Sequence, residues 1–114
     1  MLLNVYCLES MPDPKHQRGV ICESILAEHM LNLGFYVLRP LAAHGPIDLC
    51  AYDDLGNYYF LDAKMDSQRR LPGRKKKNRV YRVLTEVQKA LGVRIAYVDI
   101  ETRKVDIMPP LPQK

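Results

Sequence analysis

Apolar side chains recur along this chain in two rhythms, and each predicts a different kind of element. Between 15 and 33, Val20, Ile21, Ile25, Leu26, Met30 and Leu33 share one broad helical face. Gly34 follows as the natural stop. A second run, from about 78 to 91, puts Val80, Val83, Leu84, Val87 and Leu91 on a helical core face, and Gly92 ends it. The other apolar segments are short, bounded by turn residues and of strand length: FYVLRPL (35–41), IDLCAY (47–52), YYFLDAK (58–64), RIAYVDI (94–100) and VDIMP (105–109). A further strand is expected at 2–8, before the two prolines of MPDP break the pattern. DDLGN is a hairpin turn, so 47–52 and 58–64 should pair antiparallel; ETRK joins the last two strands in the same way. The order (β)αβββαββ describes an α/β fold, a central sheet with a helix on either side, in one domain over residues 1–114.

Composition supports a folded globule and narrows its surroundings. Hydrophobic residues make up 47% of the chain, and no apolar run approaches the ~20 residues of a membrane span. The opening MLLNVYCLES lacks a basic n-region, so no signal peptide is expected, and the reading is of a soluble, intracellular protein. Cys7, Cys22 and Cys50 have no metal-ligand spacing and read as thiols in a reducing compartment. The net charge of +4 conceals an asymmetry: residues 69–82, RRLPGRKKKNRVYR, hold eight of the 17 basic residues and none of the 13 acidic ones. The rest of the chain then carries nine positive and 13 negative charges, a net of −4. A basic block on an acidic body suits a polyanion such as nucleic acid; the alternative is a solubilising or targeting segment.

The candidate chemistry lies where a strand ends in FLDAKMD, residues 60–66. Alternation sends Phe60, Asp62 and Lys64 to one face, with an acid and an ammonium spaced by about 7 Å of strand rise. Asp48 begins the partner strand and Asp62 ends this one, so across the hairpin the two acids become neighbours. Opposed like charges are unfavourable unless a cation lies between them, and Lys64 alone cannot satisfy both. Two carboxylates, the Ala63 carbonyl and water would make a hard oxygen site suited to Mg²⁺. The alternative is two separately solvated acids. Glu23 borders the inward arc of the first helix and either reaches this site or snorkels at its margin.

These elements resemble the PD-(D/E)XK nuclease superfamily, whose fold is restriction-endonuclease-like: a central mixed sheet flanked by helices. Its signature is similar to Pro46 and Asp48 in PID and to Asp62 and Lys64 in DAK. RGVICESILAEHMLNLGFYVLRPLAAHG (18–45) resembles the opening of archaeal-type Holliday junction resolvases in the order of Arg18, Gly19, Glu23, Gly34, Phe35 and Arg39. The hairpin and AYVDIETRKVDIMP also resemble intron-associated homing endonucleases of the same superfamily. The proline stands one residue further from Asp48 than in the signature, the second acid is Asp rather than Glu, and the loop AAHGPID is shorter than in the resolvases.

The resemblance implies a metal-dependent DNA endonuclease, with branched DNA as the favoured substrate. Its catalytic set would be Asp48, Asp62, Lys64 and Glu23, and its Mg²⁺ (or Mn²⁺) ligands Asp48, Asp62, Ala63 and Glu23. Lys64 would act by electrostatic stabilisation before general base catalysis. DNA would be contacted by Arg18, Arg69, Arg70, Arg74, Lys75, Lys76, Lys77, Arg79 and Arg82, with His44 and Gln88 as further candidates near the cleft. A homodimer is expected, or a tetramer, because each site cuts one strand. The competing readings are a site-specific homing endonuclease and a non-catalytic DNA-binding module on the same fold.

Overall fold

The computed structural model describes residues 14–42, 44–70, 73 and 77–112. Helix α1 (Pro14–Asn32) is followed by β1 (Tyr36–Leu38), β2 (Leu49–Tyr52) and β3 (Tyr58–Met65). Then come β4 (Gln68–Arg70), β5 (Lys77–Arg79), the short α2 (Glu86–Leu91), β6 (Arg94–Val98) and β7 (Val105–Met108). Five strands form one sheet in the order β1-β2-β3-β6-β7, antiparallel except for the parallel β3–β6 pair. The α/β class, the mixed sheet and the flanking helices are as expected. The strand expected at 2–8 lies outside the described residues. Among the described residues, no helix is long and apolar enough to cross a membrane.

Pro14 opens α1 at a position where its missing N–H costs nothing. The helix buries Cys22, Ile25, Leu26 and Met30, spaced so that all four meet one face of the sheet. That stripe is narrower than expected, for Val20, Ile21 and Leu33 are exposed. Gly34 ends the helix at φ +92°, where the Phe35 N–H donates to the Met30 carbonyl and the Gly34 N–H to that of Leu31. Under α1 the sheet contributes Leu49, Ala51, Leu61, Ala96, Val98 and Ile107, the inward members of alternating strands. Cys22 is buried and Cys50 half-buried, both as free thiols.

The connection from β3 to its parallel neighbour β6 is where sequence and structure part. The helix expected from about 78 to 91 is only six residues long. Lys77–Arg79 instead pairs with Gln68–Arg70 as a separate two-stranded sheet, so the basic segment is in part a β-hairpin. Val83 is 87% exposed and Val87 59%, and Leu91 also faces solvent, so the predicted apolar stripe is not a core face. The physical reason is local. Thr85 accepts a hydrogen bond from the Gln88 N–H at 3.2 Å, while Gln88 Oε1 accepts one from the Thr85 N–H at 3.0 Å. This capping box starts the helix about eight residues later than the apolar spacing implied. The preceding NRVYRV is β-branched and aromatic and favours extended chain. Gly92 ends the helix in the left-handed conformation at φ 69°, as expected.

Leu61→Ala should therefore destabilise the fold by about 2 to 5 kcal/mol in urea unfolding, because it hollows the fully buried centre of β3. Val83→Ala and Val87→Ala should each change stability by less than about 0.5 kcal/mol. A core-sized loss at either valine would restore the longer helix.

Candidate active site

The register of β2 and β3 creates the site. Leu49 pairs with Leu61, so the next step outward sets Asp48 beside Asp62. The Asp48 N–H continues the ladder, donating to the Leu61 carbonyl at 2.9 Å. The Ala63 N–H then donates to Asp48 Oδ2 at 2.8 Å, so a side chain takes over where β2 has run out. A strand residue directs its N–H and C=O to the same edge, so the Ala63 carbonyl also faces this side. Asp62, only 6% exposed, points away from α1. Its Oδ2 accepts a hydrogen bond from Gln88 Nε2 at 3.1 Å, and its Oδ1 lies 3.5 Å from Lys64 Nζ. The strand rise is thus closed by the Lys64 side chain folding back onto the acid.

Gln88, expected only as a candidate, is a central brace. Its Nε2 reaches both Asp62 and the Pro46 carbonyl (3.0 Å), while its Oε1 caps α2 through the Thr85 N–H. One amide therefore ties the loop before β2, the buried carboxylate and the second helix together. Polar burial explains why the apolar stripe missed it: the inward residue of α2 is its glutamine.

Two carboxylates in contact cannot both remain ionised without compensation. The Asp48 carboxyl is pushed up to about 7, first by burial and then by its hydrogen bond to Asp62. The Ala63 N–H works against this, while the charges of Asp62 and Glu23 add to it. Below about pH 7 Asp48 therefore keeps its proton. Glu23 acts on Asp48 through its field, but its own carboxylate pairs with Arg39 Nη2 at 3.8 Å. Among the described residues, no three His, Cys, Asp or Glu side chains converge to hold a metal, so the expected three-acid set is here an acid pair with Glu23 beside it. The pair still offers the hard, negatively charged oxygens that a divalent cation takes, and the Asp48 proton is what such a cation would displace.

Ala63 and Lys64, the two residues after Asp62, line a recess of about 250 Å³ whose wall also carries Lys15, Arg18 and Arg82. Arg18 and Arg82 were expected among the basic contacts. Lys15 was not, although its spacing of three from Arg18 and seven from Cys22 puts all three on one side of α1. His44 is exposed in the loop before Pro46. Arg69 and Arg70 belong to β4 and Lys77 to β5, while Arg74, Lys75 and Lys76 lie outside the described residues. Arg79, also expected to contact DNA, has its guanidinium engaged by Asp66 and Asp106 within the protein.

The raised Asp48 carboxyl fixes the sign of a pH effect. Its folded value, about 7, lies above the ordinary 3.8, so as pH rises the unfolded chain releases this proton first. Metal-free protein should lose stability between about pH 4 and 7, with a lower urea midpoint at pH 8 than at pH 5. Asp48→Asn should flatten that dependence. A midpoint rising across the window would contradict the raised Asp48 carboxyl.

No protein-family model and no curated protein sequence matches this chain. Its fold is similar to the solved structure of a bacterial homing endonuclease, I-Ssp6803I, with a TM-score of 0.59 and 19% sequence identity. The match covers 85% of this chain and 70% of that one. The mixed five-stranded sheet between helices is thus a restriction-endonuclease-like fold.

Proposed function

We propose that this chain is a metal-dependent DNA endonuclease of the PD-(D/E)XK kind. The observation that carries the reading is the Asp48–Asp62 contact next to Ala63 and Lys64, which line a recess together with Lys15, Arg18 and Arg82. Acids that take a cation, set next to a cluster of cations, are the two halves of a phosphodiester site. The fold's likeness to a homing endonuclease supports the same reading.

Asp48, Asp62 and the Ala63 carbonyl would hold Mg²⁺, with Mn²⁺ as a substitute and Glu23 contributing from its margin. When bound, the cation supplies charge stabilisation at the phosphate and acidifies water. The remaining roles belong to the protein. Lys64, 42% exposed at its side chain, orients the attacking water and offsets negative charge developing on the phosphate. Gln88 keeps Asp62 and the Pro46 loop in place so that the acids do not spring apart. Arg18, Arg82 and Lys15 bind the phosphates flanking the cut. A homodimer would bring two such sites to the two strands of one substrate.

Two DNA substrates follow from different observations. The α1 segment resembles the junction resolvases, and the basic segment is rich in Lys and Arg but poor in Asn and Gln, which suits recognition of branched DNA by shape and phosphate. The likeness to a homing endonuclease favours a site-specific cut in linear duplex.

Wild-type protein should nick DNA with Mg²⁺ or Mn²⁺ and not with EDTA. Asp48→Ala, Asp62→Ala and Lys64→Ala should each lower single-turnover cleavage by about 10²-fold or more while circular dichroism stays native. Absence of nicking by the wild type with either metal would favour the non-catalytic binding module. Competition decides the substrate: a bound four-way junction should survive a large excess of linear duplex. Easy displacement, together with cleavage of one linear sequence at a fixed position, would give the homing reading.

A further inference from the structure

Arg79 has the charge of a DNA contact and the surroundings of a structural clamp. Its Nε and Nη2 donate to the two oxygens of Asp66 at 2.9 and 3.0 Å, and its Nη1 donates to Asp106 Oδ2 at 2.6 Å. The guanidinium carbon lies 4.7 Å from the centroid of the Tyr97 ring and 5.8 Å from that of Tyr81. Both side chains of the Arg79–Asp66 pair are largely buried, and the two acids hold the arginine firmly protonated. Fork geometry matters here, since a lysine ammonium cannot serve Asp66 bidentately, reach Asp106 and stack on Tyr97 at once.

The parts joined by this cluster give it meaning. Asp66 follows the last residue of β3, two positions after Lys64; Tyr97 is on β6 and Asp106 on β7. Arg79 ends β5 opposite Gln68, at the base of the basic hairpin. The backbone reinforces the joint. The Asp66 N–H donates to the Val98 carbonyl and the Val80 N–H to that of Ser67, each at 2.8 Å. Just beyond, the Arg82 N–H donates to the Tyr97 hydroxyl at 2.8 Å, which delivers Arg82 to the recess.

We infer that Arg79 is a positioning residue that locks the basic β4–β5 hairpin to the ends of β3, β6 and β7, so that the hairpin's cations meet DNA in a fixed relation to the acid pair. This rests on the nuclease reading. Its consequence is opposite in sign to simple electrostatics. Asp66 and Asp106 are negative charges near a polyanion's path, and removing one should tighten DNA binding if Arg79 were itself a phosphate contact. If Arg79 is the clamp, removing Asp66 loosens the hairpin and weakens binding.

The test is a binding cycle on duplex DNA with wild type, Asp66→Asn, the triple variant Arg69→Ala/Arg70→Ala/Lys77→Ala, and their combination, with amide hydrogen exchange on the same free proteins. Asp66→Asn should weaken binding by about fivefold or more. It should also speed exchange in β4 and β5 by about tenfold while leaving β3 and β6 unchanged. In the triple background its effect on binding should shrink, because the two strands it positions no longer carry charge. Tighter binding by Asp66→Asn, an equal loss in the triple background, or faster exchange throughout the sheet would overturn the clamp while the wild type still binds and cuts. Wild-type protein that neither binds nor cuts DNA would instead sink the nuclease reading, and the arm's role with it.

Discussion

The contact between Asp48 and Asp62 is the constraint around which the rest of the site is arranged. A hairpin register that packs Leu49 against Leu61 beneath α1 necessarily sets the next pair of residues side by side, and both are acids. An apolar pair there would have been cheaper, and so would a single acid opposite a neutral residue. The surrounding structure reads as a response to this cost. The Ala63 N–H and the Gln88 amide donate into the pair, Lys64 folds back onto Asp62, and one proton stays on Asp48 near neutral pH.

The same register explains how a small domain brings opposite charges close together. β2 begins only after Asp48, which leaves this edge of β3 at residues 63–65 facing a recess instead of another strand. Residues of α1, β3 and the segment after β5 meet there, and each supplies a cation: Lys15 and Arg18, Lys64, and Arg82. Of these, Lys64 leans on Asp62. Arg39 pairs with Glu23, and Arg79 with Asp66 and Asp106.

Much of this was legible in the chain, for stated physical reasons. The DDLGN turn and the lengths of its two strands were enough to place Asp48 opposite Asp62, because hairpin register propagates outward from the turn. Helix α1 announced itself by its spacing and by Gly34. The second helix misled because Val80, Val83, Leu84, Val87 and Leu91 keep helical spacing while the residues that decide its start, Thr85 and Gln88, are polar. The β4–β5 hairpin gave no apolar alternation at all, since its strands are QRR and KNR. Arg79 looked like one more cation in a basic run; only the fold brings Asp66, 13 residues earlier, and Asp106, 27 later, to its two sides.

The central claim is that the acid pair stores a proton that a divalent cation replaces. Isothermal titration with Mg²⁺ at pH 6.5, repeated in buffers of different ionisation enthalpy, measures this directly. The account predicts binding coupled to release of about one proton, with the release vanishing at pH 9 and in Asp48→Asn. Mg²⁺ binding that releases no proton at pH 6.5, or that persists unchanged in Asp48→Asn and Asp62→Asn, would contradict it.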